Sequence, residues 1–268
     1  MTRRLSSYSS RKANEPAFSP EPSEPAPQFA TIGLMPHFPP GQTLLIDADD
    51  TLWENNVYFE RAIAAFISYL DHREYSPAEV RKALNEVERE TILTHGYGLP
   101  SFTRSLVTCF ERLSPAPMTD EKRQRIKDFV RSIAEQEIEL LPGVAETLAE
   151  LATRHRLILM TKGNYAEQAD KLGRSGLAPY FSAVEIPAEK DPATYSDVLR
   201  RYQLSPRTSW MIGNSPKSDI NPALAAGLNA VFLFHKDTWA LEHATLDVAP
   251  EGQQLIELDS FAKLDEIF

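Results

Sequence analysis

The chain has 268 residues, enough for one large domain or two modest ones, and its 42 % hydrophobic and 25 % charged residues are ordinary for a soluble globular protein. A formal net charge of −10 argues against a general affinity for nucleic acid, although a local pocket can still be positive enough to hold a small anion. Cys109 is the only cysteine, which excludes an intramolecular disulfide and points to a reducing compartment. No apolar run reaches the roughly 20 residues that span a bilayer. The residues after Arg3 and Arg4 also lack the apolar stretch of a secretion signal, so the expectation is a cytoplasmic protein with no membrane association.

Residues 1–40 are rich in Ser and Pro, with Pro16, Pro20, Pro22, Pro25 and Pro27 close together, and show no periodicity. They are expected to form a disordered leader, the alternative being a docking tail for a proline-binding partner. A short piece, Leu34 to Phe38, can still pack on the domain. Regular structure begins at Thr43-Leu44-Leu45-Ile46, an apolar run of the kind found in a buried parallel strand. Helical spacing follows in Phe59, Ile63, Phe66, Ile67 and Leu70. Ser76-Pro77-Ala78-Glu79 is a capping box that opens a second helix, with Val80, Leu84 and Val87 on one face. Further helices are predicted from about 102 to 112 and from Thr119, with Ile126, Phe129, Val130 and Ile133 on one stripe.

After Leu141-Pro142-Gly143 the pattern alternates. A helix striped by Val144, Leu148 and Leu151 leads to a buried strand, Leu157–Met160. A helix over 165–175, a strand near 181–186, a helix marked by Tyr195, Val198, Leu199 and Tyr202, and strands at 208–212 and 229–234 around a helix over 216–226 complete it. The expected fold is α/β, a three-layer Rossmann-like core with a parallel sheet and helices on both faces. Residues 41–53 and 141–268 form that core, and residues 54–140 are an inserted all-helical domain.

In an open parallel sheet ligands gather at the carboxyl ends of the strands. Four groups sit there. Asp47 and Asp49, directly after the first strand, point to the same side and would repel unless a divalent cation lay between them, and oxygen ligands suit Mg²⁺. Thr161-Lys162-Gly163-Asn164 offers a hydroxyl and free amides that can hold phosphate oxygens, though a helix cap explains it equally well in isolation. Lys190 stands where a strand hands over to a helix and can neutralise a carboxylate and a phosphate together, or be a surface charge. Asn214 and Asp219, in Gly213-Asn214-Ser215-Pro216-Lys217-Ser218-Asp219, are oxygen donors in what is otherwise a capped loop.

The order and spacing of these groups resemble the haloacid-dehalogenase superfamily over 41–53 and 141–235. Asp47-Ala48-Asp49-Asp50-Thr51-Leu52 resembles its D-x-D-G-T-L motif, Thr161 and Lys190 its second and third motifs, and Gly213 to Asp219 its fourth, G-D-S-x-x-x-D. Asp50 stands where Gly is usual, and Asn214 where an aspartate normally binds metal. The resemblance implies a phosphatase with a helical cap, acting on a small phosphorylated metabolite. Asp47 would be the nucleophile and Asp49 the general acid and base; Ala48, Asp49, Thr161, Lys162, Gly163 and Lys190 would surround the phosphate. Mg²⁺ would be held by Asp47, Asp49 through its main-chain carbonyl, and Asn214, with Asp219 as a further metal-site residue or a support for Lys190. The dehalogenases of the superfamily lack the second acid, so Asp49 points to phosphate chemistry. A phosphomutase with the same nucleophile and a non-catalytic binding protein of the same fold are the rival readings. Tyr58, His95, Gly96 and Tyr97 are candidate substrate contacts from the insertion; most of its aromatics sit on helical stripes and are expected in the core, so His95-Gly96-Tyr97-Gly98, which breaks a helical pattern, is the better candidate.

Overall fold

The computed structural model describes residues 36–70 and 74–268. Six strands, β1 (Thr43–Ile46), β2 (Arg156–Met160), β3 (Ala183–Glu185), β4 (Ser209–Gly213), β5 (Asn229–Leu233) and β6 (Leu255–Leu258), form one sheet in the order β3-β2-β1-β4-β5-β6. Every neighbouring pair is parallel. The chain builds outward from β1 to β2 and β3 on one side, then returns to β4 and β5 on the other. The switch point therefore lies between β1 and β4, where a crevice opens at the carboxyl ends.

Strand period 2 divides the core into two layers. Leu44, Ile46, Leu157, Leu159, Trp210 and Ile212 face one side, with α5 (Val144–Arg154) and the carboxyl-terminal Leu264, Ile267 and Phe268. Leu45, Ile158, Met160 and Met211 face the other, against Tyr195, Val198 and Leu199 of α7 (Pro192–Tyr202). Both faces are covered, which is why these strands read as continuous apolar runs. No helix among the described residues is long and apolar enough to cross a membrane.

Between β1 and α5 lie α1 (Asn56–Tyr69), α2 (Pro77–His95), α3 (Leu99–Leu113) and α4 (Asp120–Ala134). They share a hydrophobic cluster of their own, centred on Phe66, Leu84, Leu106, Phe110 and Ile126. The capping box at Ser76 is formed in both directions, its hydroxyl accepting from Glu79 N–H while the Glu79 carboxylate accepts from Ser76 N–H. α6 (Tyr165–Ser175) spans the expected residues, and α3 begins three residues earlier than its periodicity predicts.

Three features differ from expectation. The segment 216–226 is not one α-helix but a π-turn over Pro216–Ile220 followed by the short α8 (Asn221–Ala225). β6 and the terminal helix α9 (Leu264–Ile267) were not anticipated. The leader expected to be disordered falls almost wholly on residues outside the described ones. Its described end, 36–40, carries Phe38, whose ring lies 4.5 Å from Trp210 and whose N–H donates to Ile267 O.

Candidate active site

β1 delivers Asp47 to the switch point, where its carboxylate is buried. Lys190 Nζ donates to Asp47 Oδ1 at 2.5 Å and to Asp219 Oδ1 at 2.7 Å. Lys190 is only 3 % exposed, a tolerable burial for an ammonium with two carboxylate partners. Burial, and then the Asp219 charge, push the Asp47 carboxyl up to about 7 despite Lys190. Asp47 Oδ2 accepts the Thr51 hydroxyl at 3.2 Å, and the same hydroxyl lies 3.4 Å from Asn214 Oδ1. Asp47 Oδ2 and Asn214 Oδ1 thus lie around one hydroxyl, and oxygen donors of this kind fit Mg²⁺. The Asn214 amide nitrogen is aimed the other way and donates to Thr238 Oγ1 at 3.0 Å, which fixes the orientation of Oδ1.

Asp219, expected among the metal-site residues, has both oxygens occupied: Oδ1 by Lys190 and Oδ2 by Ser215 N–H at 3.0 Å. These partners suit the expected role of Asp219 as a support for Lys190. Gly213 makes that fit possible, since a Cβ there would stand 2.3 Å from Asp219 Oδ2.

Asp49 differs from its expected setting. Its carboxylate is turned onto the helix after β2, accepting from Lys171 Nζ at 2.6 and 2.8 Å, Gln168 Nε2 at 2.9 Å and Trp53 Nε1 at 2.7 Å. Burial raises its pKa, but the Lys171 charge and these hydrogen bonds outweigh that and hold it below the ordinary value. Asp50 occupies the left-handed region at φ 58. It is tolerated because Asp enters this region more readily than most residues, and because its carboxylate accepts the N–H groups of Asn55 and Asn56 at 2.9 and 3.0 Å, tying down the start of α1.

Thr161 is buried at the end of β2, and Thr161, Lys162 and Gly163 all line the same cleft as Asp47 and Lys190. Ala48 is buried beneath it. Lys162, expected at the phosphate, reaches across to Glu242 (2.8 Å), Ser218 Oγ (2.7 Å), Glu189 (3.1 Å) and the Tyr97 hydroxyl (3.1 Å), and sits 4.6 Å from the centre of the Tyr97 ring. Of the four residues expected to reach the substrate from the helical block, only Tyr97 lines the cleft. Tyr58 instead bonds Glu139 through its hydroxyl, and His95 and Gly96 lie exposed at the end of α2. The cleft runs from Asp47 to residues of α1, α2 and α3.

A separate acidic cluster, Asp50, Glu54 and His235, brings three ligand atoms within 4.8 Å of one another and could bind a metal. Sequence reasoning did not single it out, because His235 lies far along the chain beyond β5.

The fold and site define a doubly wound α/β protein with a carboxylate centre at the switch point of its sheet. Residues 42–227 match the family model described as haloacid dehalogenase-like hydrolase. A crystal structure of a haloacid dehalogenase-like family hydrolase from Xanthomonas campestris is 31 % identical, with a TM-score of 0.69 over 84 % of this chain and 93 % of that one. The chain belongs to the haloacid dehalogenase-like hydrolase family. Among curated relatives, a phosphoserine phosphatase of Thermus thermophilus is 34 % identical over 100 residues, 35 % of this chain and 40 % of that protein. A glyceraldehyde 3-phosphate phosphatase of Methanothermobacter thermautotrophicus is 30 % identical over 133 residues, 47 % of this chain and 57 % of that protein. The chain therefore spans about half the length of the curated relatives it matches.

Proposed function

We propose that this chain is a Mg²⁺-dependent phosphomonoesterase acting on a small phosphorylated metabolite, with residues 54–140 serving as a cap over the catalytic crevice. The observation that carries the reading is the Asp47 carboxylate at the carboxyl end of β1, held by Lys190 and lining a cleft shared with Thr161 and Asn214. Its phosphatase relatives support it.

In this reading Asp47 attacks phosphorus, forming an aspartyl-phosphate as the P–O bond to the alcohol breaks. The departing oxygen takes a proton from Asp49. Asp49 then removes a proton from the water that cleaves the acyl phosphate, returning Asp47 and releasing phosphate. Asp49 is ion-paired with Lys171 in the free protein, so its ionised form suits the second step, and the first requires Lys171 to move off it. Lys190 and Thr161, with the main-chain amide of Lys162, hold the phosphoryl oxygens, Gly163 N–H being committed to Pro187 O at 3.4 Å, and Asp219 positions Lys190. Mg²⁺ would be held by Asp47, the Asp49 carbonyl and Asn214, and supplies neutralisation of phosphate charge.

Asp47→Asn tests the core of this reading. The amide is nearly isosteric but far less nucleophilic, so phosphate release from a phosphomonoester panel should vanish while the melting temperature stays within a few degrees. Beryllium fluoride, a mimic of the aspartyl-phosphate, should protect the parent from thermal unfolding and not the variant. Substantial turnover in a folded Asp47→Asn protein would remove Asp47 as nucleophile.

A further inference from the structure

The end of the cleft farthest along the helical block is built from three pairs of residues spaced i, i+4: Phe59 and Ile63 on α1, Glu88 and Ile92 on α2, Ser101 and Ser105 on α3. Residues four apart share a helix face, so each helix turns one continuous strip toward the cavity. Two strips are apolar or small hydroxyls. The third carries a carboxylate.

Glu88 is 5 % exposed, and its Oε2 has no hydrogen-bond partner. The nearby cations do not supply one. Arg81 is engaged with both Glu60 oxygens at 2.6 Å, and Arg89 is exposed. An unpaired buried carboxyl is costly to a fold, and substitution by a neutral group is cheap. Its placement in the wall of this cleft is where such a cost has a use.

We propose that Glu88 is the specificity-determining residue of this cleft, and that the substrate is a phosphomonoester whose alcohol carries a primary ammonium group. The inference rests on the phosphatase reading above. The phosphate lies at the Asp47 and Lys190 end, and the ammonium donates to Glu88 at the other. Phe59, Ile63 and Ile92 enclose the carbon frame between them. Ser105 donates its own proton to Ser101 O at 3.1 Å, which leaves its lone pairs free to accept a second N–H. An alcohol without the ammonium enters the same space but leaves Glu88 buried and unpaired. A site built to hydrogen-bond a polar group rejects the analogue lacking it far more strongly than an apolar pocket rejects a missing methylene.

The test uses the full-length protein with a series of ω-aminoalkyl phosphates of increasing chain length, each matched to its ω-hydroxy and ω-methyl counterparts. At the best length, kcat/KM for the amine should exceed that of its counterparts by on the order of 10²-fold or more. In Glu88→Gln the amine-to-methyl ratio should collapse toward one. Binding of the corresponding ω-aminoalkylphosphonates, measured by calorimetry, gives a readout that needs no turnover, and affinity should fall in the same variant. Equal use of all three series by the parent, or a ratio unchanged in Glu88→Gln, overturns the assignment of Glu88 and leaves the phosphatase reading intact. If the parent releases no phosphate from these compounds or from the phosphomonoester panel, the phosphatase reading fails, and the phosphonate titrations then decide for Glu88 if the variant binds more weakly and against it if the two proteins bind alike.

Discussion

Asn214 stands where the motif this loop resembles has an aspartate, and its surroundings say what the difference does. The amide offers Oδ1 toward Thr51 and Asp47 while Nδ2 is committed to Thr238. An aspartate in the same rotamer would present a charged oxygen to the cation and lose the hydrogen bond to Thr238 only if that hydroxyl failed to reverse. Hydroxyls rotate to suit their partner, but Thr238 Oγ1 spends its one proton on His235 O at 2.9 Å, so reversal would exchange that bond for one to the aspartate. Asn214→Asp should therefore lower the Mg²⁺ concentration for half-maximal phosphate release several-fold, since hard cations bind more tightly as ligand charge increases. Asp219→Asn should act differently, because Asp219 partners Lys190 and Ser215. Its effect should appear in turnover at saturating Mg²⁺. Titrating Mg²⁺ against activity for both variants separates the roles, and an unchanged midpoint for Asn214→Asp would remove Asn214 from the ligand set.

At the scale of elements, the loop after β4 depends on a missing side chain. Gly213 ends β4 with Asp219 folded back against it, and a Cβ would meet Asp219 Oδ2 at 2.3 Å and Cγ at 2.6 Å. Those atoms belong to a fully buried carboxylate held by Lys190 and Ser215 N–H, so they have little freedom to yield. Gly213→Ala should cost on the order of 1–3 kcal/mol by overpacking and reduce turnover as Lys190 shifts, both visible in a denaturant melt and a steady-state assay. A neutral result would mean that the π-turn relaxes at no cost.

The same scale shows why some elements were legible in the sequence and others were not. β1, β2 and β4 were legible because both faces are covered, giving short apolar runs that end in polar residues at the crevice. β6 was not: its Glu257 is exposed and only Leu258 is fully buried, so an edge strand carries neither a clean run nor clean alternation. Asp47 and Thr161 stood out because they follow strands directly, Asp49 because it lies two residues beyond Asp47, and Lys190 because it stands between β3 and α7. Lys171 and Gln168 lie within a helix and meet Asp49 only through the fold, and a polar helix residue normally faces water. Glu88 did leave a trace. It falls four residues after Leu84, beside the stripe of Val80, Leu84 and Val87, where a further apolar side chain would be ordinary.

At the scale of the whole molecule, the acids divide into two groups with opposite effects on stability. Asp49, Glu189, Glu242 and Glu185 are held below their ordinary values by cations and hydrogen-bond donors that outweigh their burial. They favour the folded state above their unfolded pKa, and that contribution is lost as pH falls through the depressed values. Asp47, Asp50 and Glu88 are pushed up to about 7, chiefly by burial. For them the folded chain binds more protons than the unfolded one at intermediate pH, so stability is greatest below the unfolded value and declines as pH rises toward 7 and beyond. The metal-free protein should accordingly be most stable in weakly acid solution. Glu88 allows a clean test, because it lies apart from the residues assigned to Mg²⁺. Its carboxyl rises from 4.5 to about 7, a difference that corresponds to about 3 kcal/mol of penalty once the buried group is charged. Glu88→Gln should melt at nearly the parent's temperature near pH 4.5 and several degrees higher at pH 8, both measured with chelator and without ligand. A gap that does not grow with pH would mean that Glu88 is not titrating between these values in the folded chain.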